Sequence, residues 1–331
     1  MSTVLVTGGT GLIGSNICAQ LIEAGAEVRA LARPGSDTGP LHALGATVID
    51  GDITDAASVR RAAEGCELAI HSAAVLGGLV QDIDEHHRVN SGGVAAVLDA
   101  AEAVGIRRVV TLGTTTYFDF KDRPLTEHSP VDPHASADPY TQTKRAAYLE
   151  ALRRAEAGLD VCVVIPGGTF GPAPAVRRAM EAPSFNLRIL LAIRGQIDAV
   201  ARFPIPWSLA TDVAAAAVSA LERGRRGETY LAFGPAHEVS SMAELLNQAC
   251  AIAGTSHRVR DITAADLDAD PSWRAQIGPS LEALVRRRFP EPYFVNDLTV
   301  ERLGYAPTPI DDALRTTVAW LEATQPREAV S

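Results

Sequence analysis

Val4-Leu5-Val6-Thr7-Gly8-Gly9-Thr10-Gly11-Leu12-Ile13-Gly14 decides how the chain is read. Val4 to Val6 form a short apolar run bounded by Thr7 and a cluster of glycines. Leu12, Ile13, Ile17, Leu21 and Ile22 then recur at helical spacing up to Gly25. The reading is strand, tight turn, helix. Gly8, Gly11 and Gly14 form a G-x-x-G-x-x-G pattern at the junction. The first glycine permits the turn, the second lets backbone approach a pyrophosphate, and the third lets helix and strand pack closely, while unpaired N–H groups at the helix N-terminus face the anion. An ordinary glycine-rich turn is the alternative, and the placement between a strand and a helix favours a phosphate-binding turn over it. Gly8, Thr10, Gly11, Leu12, Ile13 and Gly14 are its expected contacts.

Working outward, the alternation repeats. Val28 to Ala32, Thr47 to Ile49, Leu68 to His71, Val109 to Leu112 and Val161 to Ile165 read as strands. Ala56 to Glu64, Val89 to Val104 and Ala137 to Ala157 read as helices between them. Repeated strand-helix units predict an α/β fold, a doubly wound parallel sheet covered on both faces. After Pro166 prolines loosen the pattern, and a smaller C-terminal substrate-binding lobe is expected. The predicted division is a dinucleotide-binding domain over 1–172 and mainly the lobe over 173–331, with 208–235, a helix from Asp212 and a strand from Thr229, returning to the core. Gln325 to Ser331 read as a frayed end.

The 331 residues carry 30 Lys+Arg against 40 Asp+Glu, a formal net charge of −10. With no basic run longer than Arg286-Arg287-Arg288, nucleic acid and anionic membranes are poor partners for this surface. No apolar stretch approaches the roughly 20 residues of a membrane span. Cys18, Cys66, Cys162 and Cys250 are widely spaced, with neither a CxxC pair nor a metal-ligand histidine, and the Asp266, Asp268, Asp270 cluster reads as loop and helix cap. No metal is expected, and a reducing cytoplasm fits. Lysine occurs only at Lys121 and Lys144, so 28 of the 30 basic residues are arginine. Where the chain keeps a lysine therefore carries information.

Tyr140-Thr141-Gln142-Thr143-Lys144 sets a phenol and an ammonium four residues apart, on one face of a helix starting near Asp138-Pro139. An ammonium about 4 Å from a phenol, at an effective dielectric near 20, is worth roughly 4 kcal/mol, enough to draw a phenol from about 10 towards 7. A tyrosine tuned that way exchanges protons at neutral pH. The bland alternative is a half-buried tyrosine with a surface lysine passing it. The fifth strand ends in Thr114-Thr115-Thr116-Tyr117, at the sheet edge where such folds present ligands. At the end of the second strand, Ala32 is followed by Arg33, with no carboxylate to hold a ribose 2′-OH. That favours NADP(H) over NAD(H). Asp52-Ile53, after the third strand, is the expected adenine neighbour.

Taken together these residues resemble the extended short-chain dehydrogenase/reductase superfamily, that is the NAD-dependent epimerase/dehydratase family, on its dihydroflavonol-reductase-like side. The resemblance runs through Thr7 to Gly14, Gly51-Asp52-Ile53, His71-Ser72-Ala73-Ala74, Asn90-Ser91-Gly92-Gly93, Tyr140 to Lys144, Pro166 to Pro172, Thr211 to Ala214, and Leu303-Gly304-Tyr305 to Trp320-Leu321. It implies Tyr140 as general acid/base and Lys144 as the residue that binds the nicotinamide ribose and lowers the tyrosine pKa. Thr114 would orient the substrate carbonyl. Ser72, Ala73 and Ala74 would line the cofactor, with Pro166, Gly167 and Thr169 beside the nicotinamide. Two departures stand out. Gly113-Thr114 replaces the usual Ser-Ser pair, and Gly168 and Phe170 replace the asparagine and tyrosine that sugar-nucleotide epimerases carry in this stretch.

The expected activity is NADP-dependent reduction of a ketone or aldehyde of a small organic substrate, or oxidation of the alcohol. The pocket is expected between 76–84, 115–120 and 177–207, with Tyr117, Phe118, Phe185 and Trp207 as apolar contacts. Arg177, Arg178, Arg188, Arg194 and Arg202 read as a solvated face or as contacts for an anionic substrate. Alternatives are an NAD-dependent sugar-nucleotide epimerase/dehydratase, which holds its cofactor and consumes none, and a non-catalytic nucleotide sensor. A homodimer through the helices carrying Asn90 and Tyr140 is a further expectation from the resemblance.

Overall fold

The computed structural model describes residues 2–77, 82–119, 122–133 and 138–325. Strands β1 (Thr3–Thr7), β2 (Glu27–Ala32), β3 (Thr47–Asp50), β4 (Leu68–His71), β5 (Arg108–Leu112) and β6 (Val161–Pro166) alternate with helices α1 (Leu12–Glu23), α2 (Gly39–Leu44), α3 (Ala56–Ala63), α4 (Ile83–His86), α5 (Gly92–Val104) and α6 (Pro139–Glu156). Beyond them come β7 (Gly168–Phe170), α7 (Val176–Ala179), α8 (Phe185–Ile193), β8 (Ala199–Ala201), β9 (Trp207–Leu209), α9 (Ala210–Arg223) and β10 (Thr229–Ala232). The chain ends through α10 (Met242–Ile252), β11 (Arg260–Ile262), α11 (Ala264–Ala269), α12 (Pro271–Arg286), α13 (Asp297–Leu303) and α14 (Ile310–Thr324).

Seven strands form one parallel sheet in the order β10-β6-β5-β4-β1-β2-β3. The expected doubly wound α/β fold is therefore the fold observed. Burial on both faces explains the near-continuous apolar strands. Leu5, Val109, Val163 and Ile165 point into one core, with α3, α5 and α6, while Val4, Val6, Val110, Cys162 and Val164 point into the other, with α1 and α9. The chain leaves β1 towards β2 and β3, then returns to build β4 and β5 on the other side. This switch sets Thr7 opposite both Leu31 and His71, so the C-terminal ends of three strands open beside the glycine turn.

β10 joins the sheet beside β6, and α9 packs on α1. The remaining C-terminal elements gather around a third core with Ile189, Leu246, Leu314 and Trp207, alongside two-stranded pairs β7–β9 and β8–β11. Where one helix was expected from Val89, a five-residue π turn (His87–Ser91) precedes α5. That wide turn lets Asn90 donate to Val75 O (3.1 Å) and Thr143 Oγ1 (3.1 Å) and accept from Val75 N (2.8 Å), tying the loop after β4 to α6. The acidic cluster is not loop throughout. Asp266 and Asp268 lie in α11, and Asp270 caps α12 by accepting from Ser272 N at 2.8 Å. Ala137 of the helix expected from Ala137 to Ala157, Lys121, and residues 326–331 of the expected frayed end lie outside the described residues.

Candidate active site

Gly8 sits at φ +76°, and a Cβ built there would lie 2.6 Å from Ala73 N. At Gly14 an added Cβ would lie 2.0 Å from Gly8 O, so the third glycine protects the turn itself as well as the helix-strand contact. Gly11 N donates to Gly8 O at 3.0 Å, and α1 starts at Leu12 with no side chain bonded across its N-terminus. These glycines leave a bare backbone cradle at a helix start, which fits a diphosphate. Ser72 N donates to Thr7 O (3.0 Å), bringing Ser72, Ala73 and Ala74 alongside the turn.

Arg33 follows β2 and lines a cavity of about 410 Å³ with Thr10, Asp37 and Asp52. Asp52 accepts from Thr54 N and Oγ1, both at 2.8 Å, while Ile53 is buried and would lie 2.8 Å from a Cβ at Gly93. The same cavity is lined by Arg177, Arg178 and Glu181 at and just after α7. Of the dispersed arginines, these two line the cavity that Arg33 lines. Both are exposed, as the solvated-face reading has it; that they share a cavity with a residue some 140 positions earlier leaves no local signal in the sequence.

Pro139 fills the first turn of α6 and Asp138 caps it by accepting from Thr141 N (2.9 Å). This helix start holds Tyr140, half-buried, beneath the loop after β4, where a Cβ on Gly77 would lie 3.4 Å from Tyr140 Cβ. Thr114 extends past β5, where its side chain lies near enough to the Tyr140 phenol to lower its pKa. Of the three threonines, only Thr114 is buried, with Thr115 half-buried and Thr116 exposed. Lys144 is buried and donates from Nζ to Leu112 O at 2.6 Å. Burial lowers Lys144 to about 8. The same burial raises the Tyr140 phenol above its ordinary value, against a smaller lowering by the neighbouring Thr114 side chain. The expectation that Lys144 depresses this phenol towards 7 is corrected, because the ammonium is directed to the Leu112 carbonyl and the phenol stays protonated. Deeper still, His71 Nδ1 and Thr7 Oγ1 share a 2.7 Å hydrogen bond. Burial, with Lys144 nearby, pushes that imidazole down to about 3.

Three of the four aromatic substrate candidates are core residues. Tyr117 is fully buried, stacked on Tyr148 at 5.0 Å and tilted against Phe118, itself buried, at 4.8 Å. Trp207 is buried and donates from Nε1 to Ser240 Oγ (3.0 Å). The strand end turns inward at 115–117, so Tyr117 and Phe118 join the core against the sheet, while Trp207 lies in the C-terminal core. Phe185, half-buried, packs edge-on to Trp207 at 5.2 Å. Of the segments expected to line the pocket, 78–81 and Phe120 lie outside the described residues.

Packing explains the glycine in each departure. A Cβ on Gly113 would lie 2.3 Å from Ile165 Cδ1 and 2.4 Å from the Tyr117 hydroxyl. At Gly168 it would meet Ile205 Cγ2 at 2.7 Å and the Trp207 ring at 2.8 Å, and at Gly167 the Pro206 carbonyl at 1.9 Å. Gly167 N donates to Ser208 Oγ (3.1 Å) and Gly168 N to Pro206 O (2.8 Å), so the segment from Pro166 is laid directly on 205–208. Thr169 Oγ1 donates to Gly167 O at 3.1 Å. Asn186, which sequence reasoning passed over, is fully buried in α8 and grips Gly171 by accepting from its N–H and donating to its carbonyl, both at 2.8 Å. A lone asparagine in the apolar run Phe185 to Ile193 was the available signal.

The profile of the NAD dependent epimerase/dehydratase family matches residues 4–232. A sterol demethylase protein B of Methylococcus capsulatus is 31% identical over 248 residues, 74% of each chain. A putative dihydroflavonol 4-reductase of Synechocystis sp. is 28% identical over 339 residues, covering 96% of this chain and 94% of that one. A 4-hydroxy-2-methyl-3-oxo-4-farnesyl-3,4-dihydroquinoline-1-oxide ketoreductase of Stigmatella aurantiaca is 29% identical over 315 residues, 91% of each chain. The crystal structure of gox2253 superposes with a TM-score of 0.85 at 26% identity, covering 99% of this chain and 100% of that one.

Proposed function

Because the chain belongs to the NAD dependent epimerase/dehydratase family and is an NAD(P)-dependent oxidoreductase acting on CH–OH and C=O groups, we propose that it reduces the ketone or aldehyde of a small organic molecule with NADPH, or oxidises the alcohol. The observation that carries this reading is that the Thr114 side chain and the Tyr140 phenol lie together past the C-terminal end of β5, in the sheet whose β1 ends in the glycine turn. When bound, the reduced nicotinamide supplies a hydride to the carbonyl carbon. Thr114 Oγ1 and Tyr140 Oη then donate to the substrate oxygen, and Tyr140 passes its proton to that oxygen as it becomes an alcohol. A phenol kept protonated by burial is the form this step needs. Lys144 holds the nicotinamide ribose, and its charge acts on the tyrosinate left behind, the state an ammonium stabilises. Gly8 to Gly14 would cradle the pyrophosphate and Arg33 would meet a 2′-phosphate.

The relatives named as ketoreductase and dihydroflavonol reductase support the carbonyl class. Ile205 and Trp207 fill the space that an asparagine at 168 would need, which weighs against a nucleotide-sugar substrate. We further read 1–172 as the cofactor domain and 173–331 as mainly the substrate lobe, with 208–235 returning to the core, in a cytoplasmic enzyme that pairs through α5 and α6. Among the described residues no helix is long and apolar enough to cross a membrane. Incubation with NADPH and separate panels of ketones, aldehydes and nucleotide sugars, followed by NADPH absorbance, tests the reading. Oxidation with ketones or aldehydes is expected. Conversion of a nucleotide sugar with no net NADPH loss overturns it in favour of the epimerase/dehydratase chemistry.

A further inference from the structure

The cavity beside Arg33 is walled on one side by the lobe. Ala175, Arg177, Arg178 and Glu181 face Thr10, Arg33, Asp37 and Asp52 across about 410 Å³. The lobe segment is anchored there: Asn16 Nδ2 donates to Pro172 O at 2.9 Å and Ala175 N to Ser15 Oγ at 3.4 Å, so α7 rides on the helix that starts at the glycine turn. The two arginines differ in their ties. Arg178 is paired with Glu181 in a close hydrogen-bonded contact. Arg177 has carboxylates only at ion-pair distance, Asp37 at 3.6 Å and Glu181 at 3.7 Å, both longer than the 2.7–2.9 Å of a charge-assisted hydrogen bond.

We propose that Arg177 is a specificity-determining residue, a second cation that closes over the 2′-phosphate of the adenosine ribose opposite Arg33, with Asp37 as its counter-ion until that phosphate arrives. The assignment rests on the NADP reading above and adds to it a residue from the other lobe. Arg33 alone would present one guanidinium to a doubly charged group. Arg177 brings a second from the facing wall, and a phosphate oxygen would displace the long Asp37 pair. Asp37 has a role of its own here: with the phosphate bound, its carboxylate opposes that charge across the same cavity.

The test is equilibrium binding of 2′,5′-ADP and 5′-ADP, and of NADPH and NADH, to wild type, Arg177→Ala, Arg177→Lys, Asp37→Asn and Arg33→Ala. Arg177→Ala is expected to weaken 2′,5′-ADP and NADPH by about tenfold, the scale of one solvent-facing charge-assisted bond, with 5′-ADP and NADH unchanged. Arg177→Lys should recover part of that loss, and Asp37→Asn should tighten 2′,5′-ADP. Retained 5′-ADP binding shows that each variant is folded. If Arg33→Ala loses the preference for the phosphorylated ligands while Arg177→Ala keeps it, Arg177 has no such role and the NADP reading stands. If wild type binds 5′-ADP as tightly as 2′,5′-ADP, the NADP reading itself fails.

Discussion

Adding a single methyl group at Gly113 puts the packing behind the β5 edge to a quantitative test. In Gly113→Ala the new Cβ would lie 2.3 Å from Ile165 Cδ1, 2.4 Å from the Tyr117 hydroxyl and 3.3 Å from Val163 Cγ1. Two contacts that far inside van der Waals distance, in a core where Tyr117 and Ile165 are fully buried, call for the upper part of the overpacking range, about 2–3 kcal/mol. At about 2–4 °C per kcal/mol, the melting temperature should drop by about 4–12 °C. Thr114 is the next residue, so an outward shift of the strand end moves its hydroxyl. A misplacement near 1 Å should lower kcat by about a hundredfold. The double variant Gly113→Ala/Tyr117→Phe removes the clash with the hydroxyl, which otherwise accepts a long 3.5 Å bond from Thr114 N. Thermal and urea unfolding of the two singles and the double should give a favourable coupling of about 1 kcal/mol or more. A Gly113→Ala change within about 0.5 kcal/mol of wild type, or strict additivity, refutes the account of why glycine stands here.

Three further outcomes follow from the site. Gly14→Ala, whose Cβ would lie 2.0 Å from Gly8 O, should weaken NADPH binding by about two orders of magnitude, the loss of one or two charge-assisted bonds, in calorimetry. Unchanged affinity contradicts the cradle. His71 is held neutral, at about 3 against an ordinary 6.5, so the unfolded chain takes up the extra proton between those values and stability falls as pH drops through that window. At about 1.4 kcal/mol per unit, wild type should lose about 2 kcal/mol more than His71→Gln between pH 7 and 5, and equal acid slopes would show that the imidazole titrates normally. Asn186→Leu leaves both polar groups of Gly171 without their partner and should cost about 3 kcal/mol by urea unfolding. A loss under about 1 kcal/mol means the loop finds other partners.

Local physics made the sheet and the turn legible. A parallel strand buried on both faces is an uninterrupted apolar run, and a glycine whose missing Cβ faces backbone leaves a spacing that survives in the sequence, as at Gly8 and Gly14. Tyr140 and Lys144 were legible as a pair because a helix fixes four-residue spacing. What Lys144 bonds was not, since the Leu112 carbonyl is supplied by a strand 32 positions earlier. Tyr117 and Trp207 were misplaced at the substrate for a related reason. Whether an aromatic ring beyond a strand turns into the core or the cleft depends on the 115–117 turn and on Ser240, neither of which leaves a periodic trace. Arg177 was read only as one of five dispersed arginines, because its place beside Asp37 arises only when the lobe lies across the loop after β2.

The central claim is that the Tyr140 phenol, beside Thr114, is the proton donor to a carbonyl oxygen receiving hydride. Single-turnover mixing of the enzyme–NADPH complex with a ketone or aldehyde that wild type reduces, comparing wild type with Tyr140→Phe, tests it most directly. The account predicts NADPH binding unchanged and hydride transfer slowed by about 10²–10⁴-fold, the contribution of one positioned acid. Transfer at the wild-type rate in Tyr140→Phe would contradict it.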